Sequence, residues 1–174
     1  MSFAEKQARL TRQLAALPDG QERLVWLMER ARQQPPFPAA AREQNLVPGC
    51  LARLWLVAEA RDGCCHFACD SDSLVVKAIA GLLCELYSGE TPVEILAHDP
   101  QFLAPLGITQ HLTPNRRNAL AKVWDHIRQF AAKAGQASRL TLAGTKVFNK
   151  PKREINPHAR APRSSGQAQR LPYS

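Results

Sequence analysis

Apolar residues first recur at helical spacing over residues 4–17, where Leu10, Leu14 and Leu17 share a face and Pro18 ends the run. Asp19 opens a second helix with Glu22 as its capping partner. Its stripe is Leu24, Leu27, Met28 and Ala31, widened by Val25 and by Trp26, which is expected in the core. Gln33-Gln34-Pro35-Pro36-Phe37-Pro38 stops that helix. From there to Gly49 the chain reads as a long loop with little structure of its own, of a length at which loops often carry function.

The period then changes to two. Over residues 51–60, Ala52, Leu54, Leu56 and Ala58 fall on one face, and Leu51, Arg53, Trp55, Val57 and Glu59 on the other, which predicts a strand. Arg61-Asp62-Gly63 is a hairpin turn, and Cys64 to Cys69 returns as a second strand. Its alternation sets Cys65, Phe67 and Cys69 against Cys64, His66 and Ala68. Asp70-Ser71-Asp72-Ser73 offers several caps for a helix reaching about Tyr87, with Val75, Val76, Ile79, Leu82, Leu83 and Leu86 buried. Thr91-Pro92 and Asp99-Pro100 each open a short helix. Thr113-Pro114 opens a long one to about Ala134, striped by Leu120, Val123, Ile127, Phe130 and Ala131.

Helices, a hairpin, then more helices predict an α+β domain with a small antiparallel sheet of two to three strands under a helical cover. Two strands alone are marginal, and the places open to a third are just before the hairpin and around Gly107-Ile108-Thr109. After Gly135 the apolar pattern gives way to Pro, Ser, Gln, Arg and Gly. The domain division is therefore 1–134, with 135–174 a basic, disordered tail. Charge supports the division. Of the net +8, residues 1–134 hold 15 Lys/Arg against 14 Asp/Glu, while residues 135–174 hold 8 against Glu154 alone. The near-neutral body argues against a nucleic-acid-binding domain. No apolar run is long enough for a membrane span and no signal peptide is visible, so a cytoplasmic protein without a membrane partner is expected.

Five cysteines, an odd number without a disulfide framework, read as free thiols in a reducing compartment. Cys50 stands apart. Pro48-Gly49 is a turn signal, the segment before it is polar, and the strand follows, which puts Cys50 at the tip of a surface loop. The glycine before it leaves room for another chain to approach. Cys64, Cys65, His66 and Cys69 have poor spacing for a metal, and strand neighbours point to opposite faces, so no metal site is assigned. Cys84 reads as core, and His98 and His126 as surface or packing residues. His111, just before a helix start, reads as a capping or loop-packing residue. No serine elbow, phosphate loop or paired-carboxylate signature is present.

Three separated blocks resemble the SufE family, with the related CsdE activators: Val47-Pro48-Gly49-Cys50 followed by Leu54-Trp55; Asp70-Ser71-Asp72 leading to Val76-Lys77; and Gln110-His111-Leu112-Thr113-Pro114-Asn115-Arg116. Their order and separation are similar to the family's over roughly residues 5–134. The resemblance implies a fold like that of U-type iron–sulfur scaffold proteins. It also implies that Cys50 accepts sulfur from a cysteine desulfurase of the SufS/CsdA type, stimulates it, and passes the sulfur to a scaffold or other acceptor. Pyridoxal phosphate would belong to the desulfurase, and this chain needs no cofactor and is not expected to turn over a substrate alone. Gly49, Asp70, Ser71, Asp72, His111 and Arg116 would serve docking or loop support. Two positions depart from the pattern: Ala52 stands where the family often has serine, and Cys69 where glycine usually precedes Asp-Ser-Asp. A thiol at Cys69 near Cys50 would offer a sulfur relay. Two alternatives carry different demands. A cluster scaffold needs several thiolates converging on Cys50, and a nucleic-acid-associated protein would act through the basic tail.

Overall fold

Asp62 and Gly63 both take positive φ, 54° and 77°, which is the twist a two-residue hairpin requires. They join β1 (Leu54–Arg61) to β2 (Cys64–Ser71), paired antiparallel from Leu54↔Ser71 to Arg61↔Cys64. The structure, a computed structural model, describes residues 1–35, 37 and 39–144, with the backbone alone for 40 and 138–144. Among the described residues the architecture is α+β, six helices and this two-stranded sheet. In β2, Cys65, Phe67 and Cys69 turn into the core, while Cys64, His66 and Ala68 lie on the open face, as alternation predicts.

The sheet has two strands of the two to three expected, and two expectations near it need correction. The first strand begins at Leu54 rather than residue 51. Leu51 and Ala52 form a bend, and Leu51 is 85% exposed, so its apolarity belongs to the loop. The stretch from Gln33 to Gly49 is not structureless, because it contains α3 (Ala39–Gln44). The third strand is reduced to a single bridge, Leu46↔Trp55, held by Val47 N donating to Leu54 O (2.8 Å) and Leu56 N to Asn45 O (2.9 Å). The other candidate segment, Ile108–His111, is a 3-10 helix.

The hydrophobic effect places α4 (Leu74–Tyr87) at the centre. It is apolar almost all round, and such a helix must be buried on every side. It packs on β2, on α1 (Phe3–Ala15), on α2 (Gly20–Arg32) and on α6 (Pro114–Gly144). Ser73 caps it by accepting from Val76 N. In α2 the buried stripe is narrower than expected: Leu24, Leu27 and Ala31 face inward, Val25 is exposed, and Trp26 is half-buried with the Arg30 guanidinium 4.7 Å from its ring. Asp19 caps α2 through Gln21 N and Glu22 N. Thr91 caps α5 (Pro92–Ala97), and a 3-10 turn, Pro100–Leu103, follows.

In α6, Ala119, Val123, Ile127 and Ala131 are buried, while Leu120 and Phe130 flank them half-covered. This helix passes the expected end at Ala134 and continues to Gly144. Gly135 does not break it, because that position lies against Pro92, where a Cβ would stand 3.3 Å from the proline side chain. The backbone from 135 to 144 also contains no proline. The expected tail, in its part 145–174, lies outside the described residues. Among the described residues no helix is long and apolar enough to cross a membrane.

Candidate functional site at Cys50

Both ends of the Cys50 loop are fastened. Upstream, the Val47–Leu54 hydrogen bond closes the loop onto the start of β1. Downstream, the carbonyl of Arg53 accepts from Ser71 Oγ (2.7 Å) and from Asp72 N (3.2 Å), and the Arg53 guanidinium pairs with the Asp72 carboxylate at 3.1 Å. Ser71 Oγ also accepts from Ser73 N, so one hydroxyl ties the loop base to the start of α4. Ser71 and Asp72 thus both bond to the base of the Cys50 loop.

Between these ends the chain turns at Pro48-Gly49. Gly49 has φ 73°, in the left-handed region that a side chain resists. A Cβ there would also stand 2.6 Å from Lys122 Nζ and displace it. That ammonium donates to the Pro48 carbonyl at 3.0 Å, joining α6 to the turn. Cys50 itself is half-buried and packed against the core cluster. Burial pushes its thiol above the ordinary value, and the Lys122 charge pulls it partly back.

Beside the loop lies a hollow of about 390 Å³. Leu51 and Ala52 wall it from the loop, Asp72 and Ser73 from the start of α4, and Asn115 and Arg116 from the start of α6. Ala52 brings a methyl to this wall where a serine would bring a hydroxyl. Of the residues singled out in the sequence, Gly49, Cys50, Ser71, Asp72 and Arg116 therefore gather around one loop and its hollow.

Asp70 and His111 do not line that hollow. Asp70 is buried and accepts from Lys77 at 3.1 Å and from Arg42. Burial alone would raise its carboxyl, but the bonds from Lys77 and Arg42 and the Lys77 charge hold it below the usual carboxylate range. Arg42 also lies over Trp55 at 5.0 Å, with Arg53 at 5.8 Å from the same ring, so this ion cluster reaches the loop base through an aromatic side chain. His111 is exposed beside α2, where a Cβ on Gly20 would stand 2.8 Å from its Cδ2.

The remaining thiols are elsewhere. Cys69 and Cys84 share a different hollow, of about 420 Å³, under the sheet. The neighbouring Cys69 thiol, together with burial, keeps Cys84 well above the ordinary thiol value. Cys69 is thus engaged with Cys84, and it lines no wall of the hollow beside Cys50. Cys65 is fully buried. Among the described residues no group of three or more His, Cys, Asp or Glu side chains is placed to hold a metal ion. Lys122 is the site residue that sequence reasoning missed. It sits between buried Ala119 and Val123 at an ordinary surface position of a helix, and nothing in the spacing ties it to a carbonyl 74 residues away.

Residues 8–131 match the family model described as SufE, Fe-S metabolism associated domain. The chain is also similar to a hypothetical protein from Thermus thermophilus known from a solution structure. The identity is 27% and the TM-score 0.63, over 75% of this chain and 96% of the other.

Proposed function

The chain belongs to the SufE family of proteins associated with iron–sulfur metabolism, and from that premise we propose that Cys50 is a sulfur acceptor for a cysteine desulfurase. One observation carries this reading: Cys50 is half-sheltered on a loop pinned at both ends, and the next two residues of that loop wall a hollow that Arg116 also lines. A buried core thiol has no route to a partner, whereas this one needs only a local movement of the loop.

The Cys50 thiolate attacks the outer sulfur of the donor's cysteine persulfide. A new bond forms between that sulfur and Cys50 Sγ, the donor's sulfur–sulfur bond breaks, and the donor cysteine leaves as a thiolate. The proton on the transferred sulfur travels with it, and no external oxidant or reductant enters. Cys50 then holds a persulfide for a downstream acceptor, such as an iron–sulfur scaffold. Removing sulfur from the donor also frees the desulfurase for its next turn, which is the basis of stimulation.

Asp72 and Arg116, of opposite charge on two walls of the hollow, are assigned to meet the partner, with Ser71 and Gly49 shaping the loop. Asp70 acts from beneath, through Arg42 and Trp55, and His111 is assigned to packing beside α2. The test adds this protein to a desulfurase with cysteine. The native chain is expected to gain about 32 Da on Cys50, the mass of one sulfur in a persulfide, and to raise desulfurase turnover. Cys50→Ser is expected to do neither. An adduct that persists in that variant, or none on the native chain, overturns the reading.

A further inference from the structure

We propose that Lys122 is the positioning residue of the Cys50 loop: its ammonium fastens the Pro48-Gly49 turn to α6 and serves as the countercharge when the Cys50 sulfur is an anion. The inference rests on Cys50 as the reacting atom and adds to that reading how the sulfur is held and released.

Three observations converge. Lys122 Nζ donates to the Pro48 carbonyl at 3.0 Å, a contact between parts of the chain 74 residues apart. It lies so close to Gly49 that a Cβ there would stand 2.6 Å from Nζ and push the ammonium aside. The other charged groups near the loop are committed or set aside: Arg53 pairs with Asp72 at the loop base, and Arg116 lines the adjoining hollow. Lys122 is the charged group that acts on the thiol.

A single surface hydrogen bond is a fitting strength for this task. It is enough to favour the sheltered position and weak enough for a docking partner to displace. Once the loop moves, the ammonium loses the Pro48 carbonyl. Lysine is a flexible point charge, able to follow a sulfur anion whether that anion is a thiolate or a persulfide one atom longer.

Two measurements on the isolated protein test the two halves of the role. The first is the pH profile of Cys50 alkylation by iodoacetamide, followed by peptide mass spectrometry. Lys122→Met, which keeps the side-chain length but removes charge and donor, is expected to move the midpoint up by about half a pH unit, because a cation favours the thiolate. The second is hydrogen–deuterium exchange of the segment 48–53. The same variant is expected to exchange roughly fivefold faster, the effect of losing one net hydrogen bond. Lys122→Arg is expected to restore both. Lys122→Leu, which likewise has neither charge nor donor, repeats the comparison should the methionine variant not fold, judged by circular dichroism. An unmoved midpoint in the neutral variants overturns the countercharge, and unmoved exchange overturns the fastening. Neither readout involves a desulfurase, so failure here is distinct from failure of sulfur acceptance.

Discussion

At Asp70 a carboxylate 5% exposed is held between Lys77 and Arg42, and what it holds in turn is the floor under Trp55 and the loop base. Its folded pKa is depressed, so its contribution is present above the unfolded value of about 3.9 and is lost as pH falls through the folded one. Asp70→Asn is expected to cost about 1–3 kcal/mol near neutral pH, since charge-assisted bonds are lost and Lys77 stays largely buried. Urea unfolding of the two proteins should show that gap constant above pH 5 and closing as both are taken below about pH 4. A gap that ignores pH would place the loss in packing instead of charge. Asp70 and Ser71 were legible as a cap-like run, but their actual partners were not. A sequence shows that Ser and Asp seek backbone N–H groups, and several lie within reach. Here Ser73 took the cap, and Ser71 took the carbonyl of Arg53 at the base of the Cys50 loop.

At the scale of elements, the start signals were the most readable. Asp19, Ser73, Thr91 and Thr113-Pro114 each precede a helix, because orphan N–H groups demand local partners. The Asp62-Gly63 turn likewise set the hairpin register. Ends were harder to read. The long helix α6 passes Gly135 because tertiary packing against Pro92 favours the small residue there, and the strand β1 starts late because Leu51 is apolar but has nothing to pack on. Ile127, fully buried on α6, carries the element-scale prediction. Ile127→Ala is expected to lower unfolding free energy by about 2–5 kcal/mol, through lost burial and the cavity left behind. Denaturant titration checks this, and a cost below about 1 kcal/mol would mean that α6 is not seated on α4 as described.

For the whole molecule, the excess charge and the candidate site fall on different parts of the chain. The net positive charge is concentrated after residue 135, while Cys50 and its supports lie within the near-neutral body. A chain ended at Gly144 is expected to keep its persulfide acceptance. Its Tm is expected to stay within about 2–4 °C of the full chain, the shift that 1 kcal/mol produces at this size. If the truncated protein fails to accept sulfur while still folded, residues 145–174 take part in docking. Any retention of the full chain on nucleic acid should fall steeply with salt and be absent from the truncated one.

The Val47–Leu54 hydrogen bond has a last consequence, which concerns reach. With its neck clasped there, the span from Pro48 to Arg53 is a short leash, and Cys50 is the third residue along it. Three extended residues cover about 10 Å, and that is the farthest the Cys50 backbone can stray from the sheet edge without unclasping the neck, with the sulfur one side-chain length beyond. A donor whose own sulfur lies deeper in a cleft than that must either extend an arm or admit the whole rim of this protein.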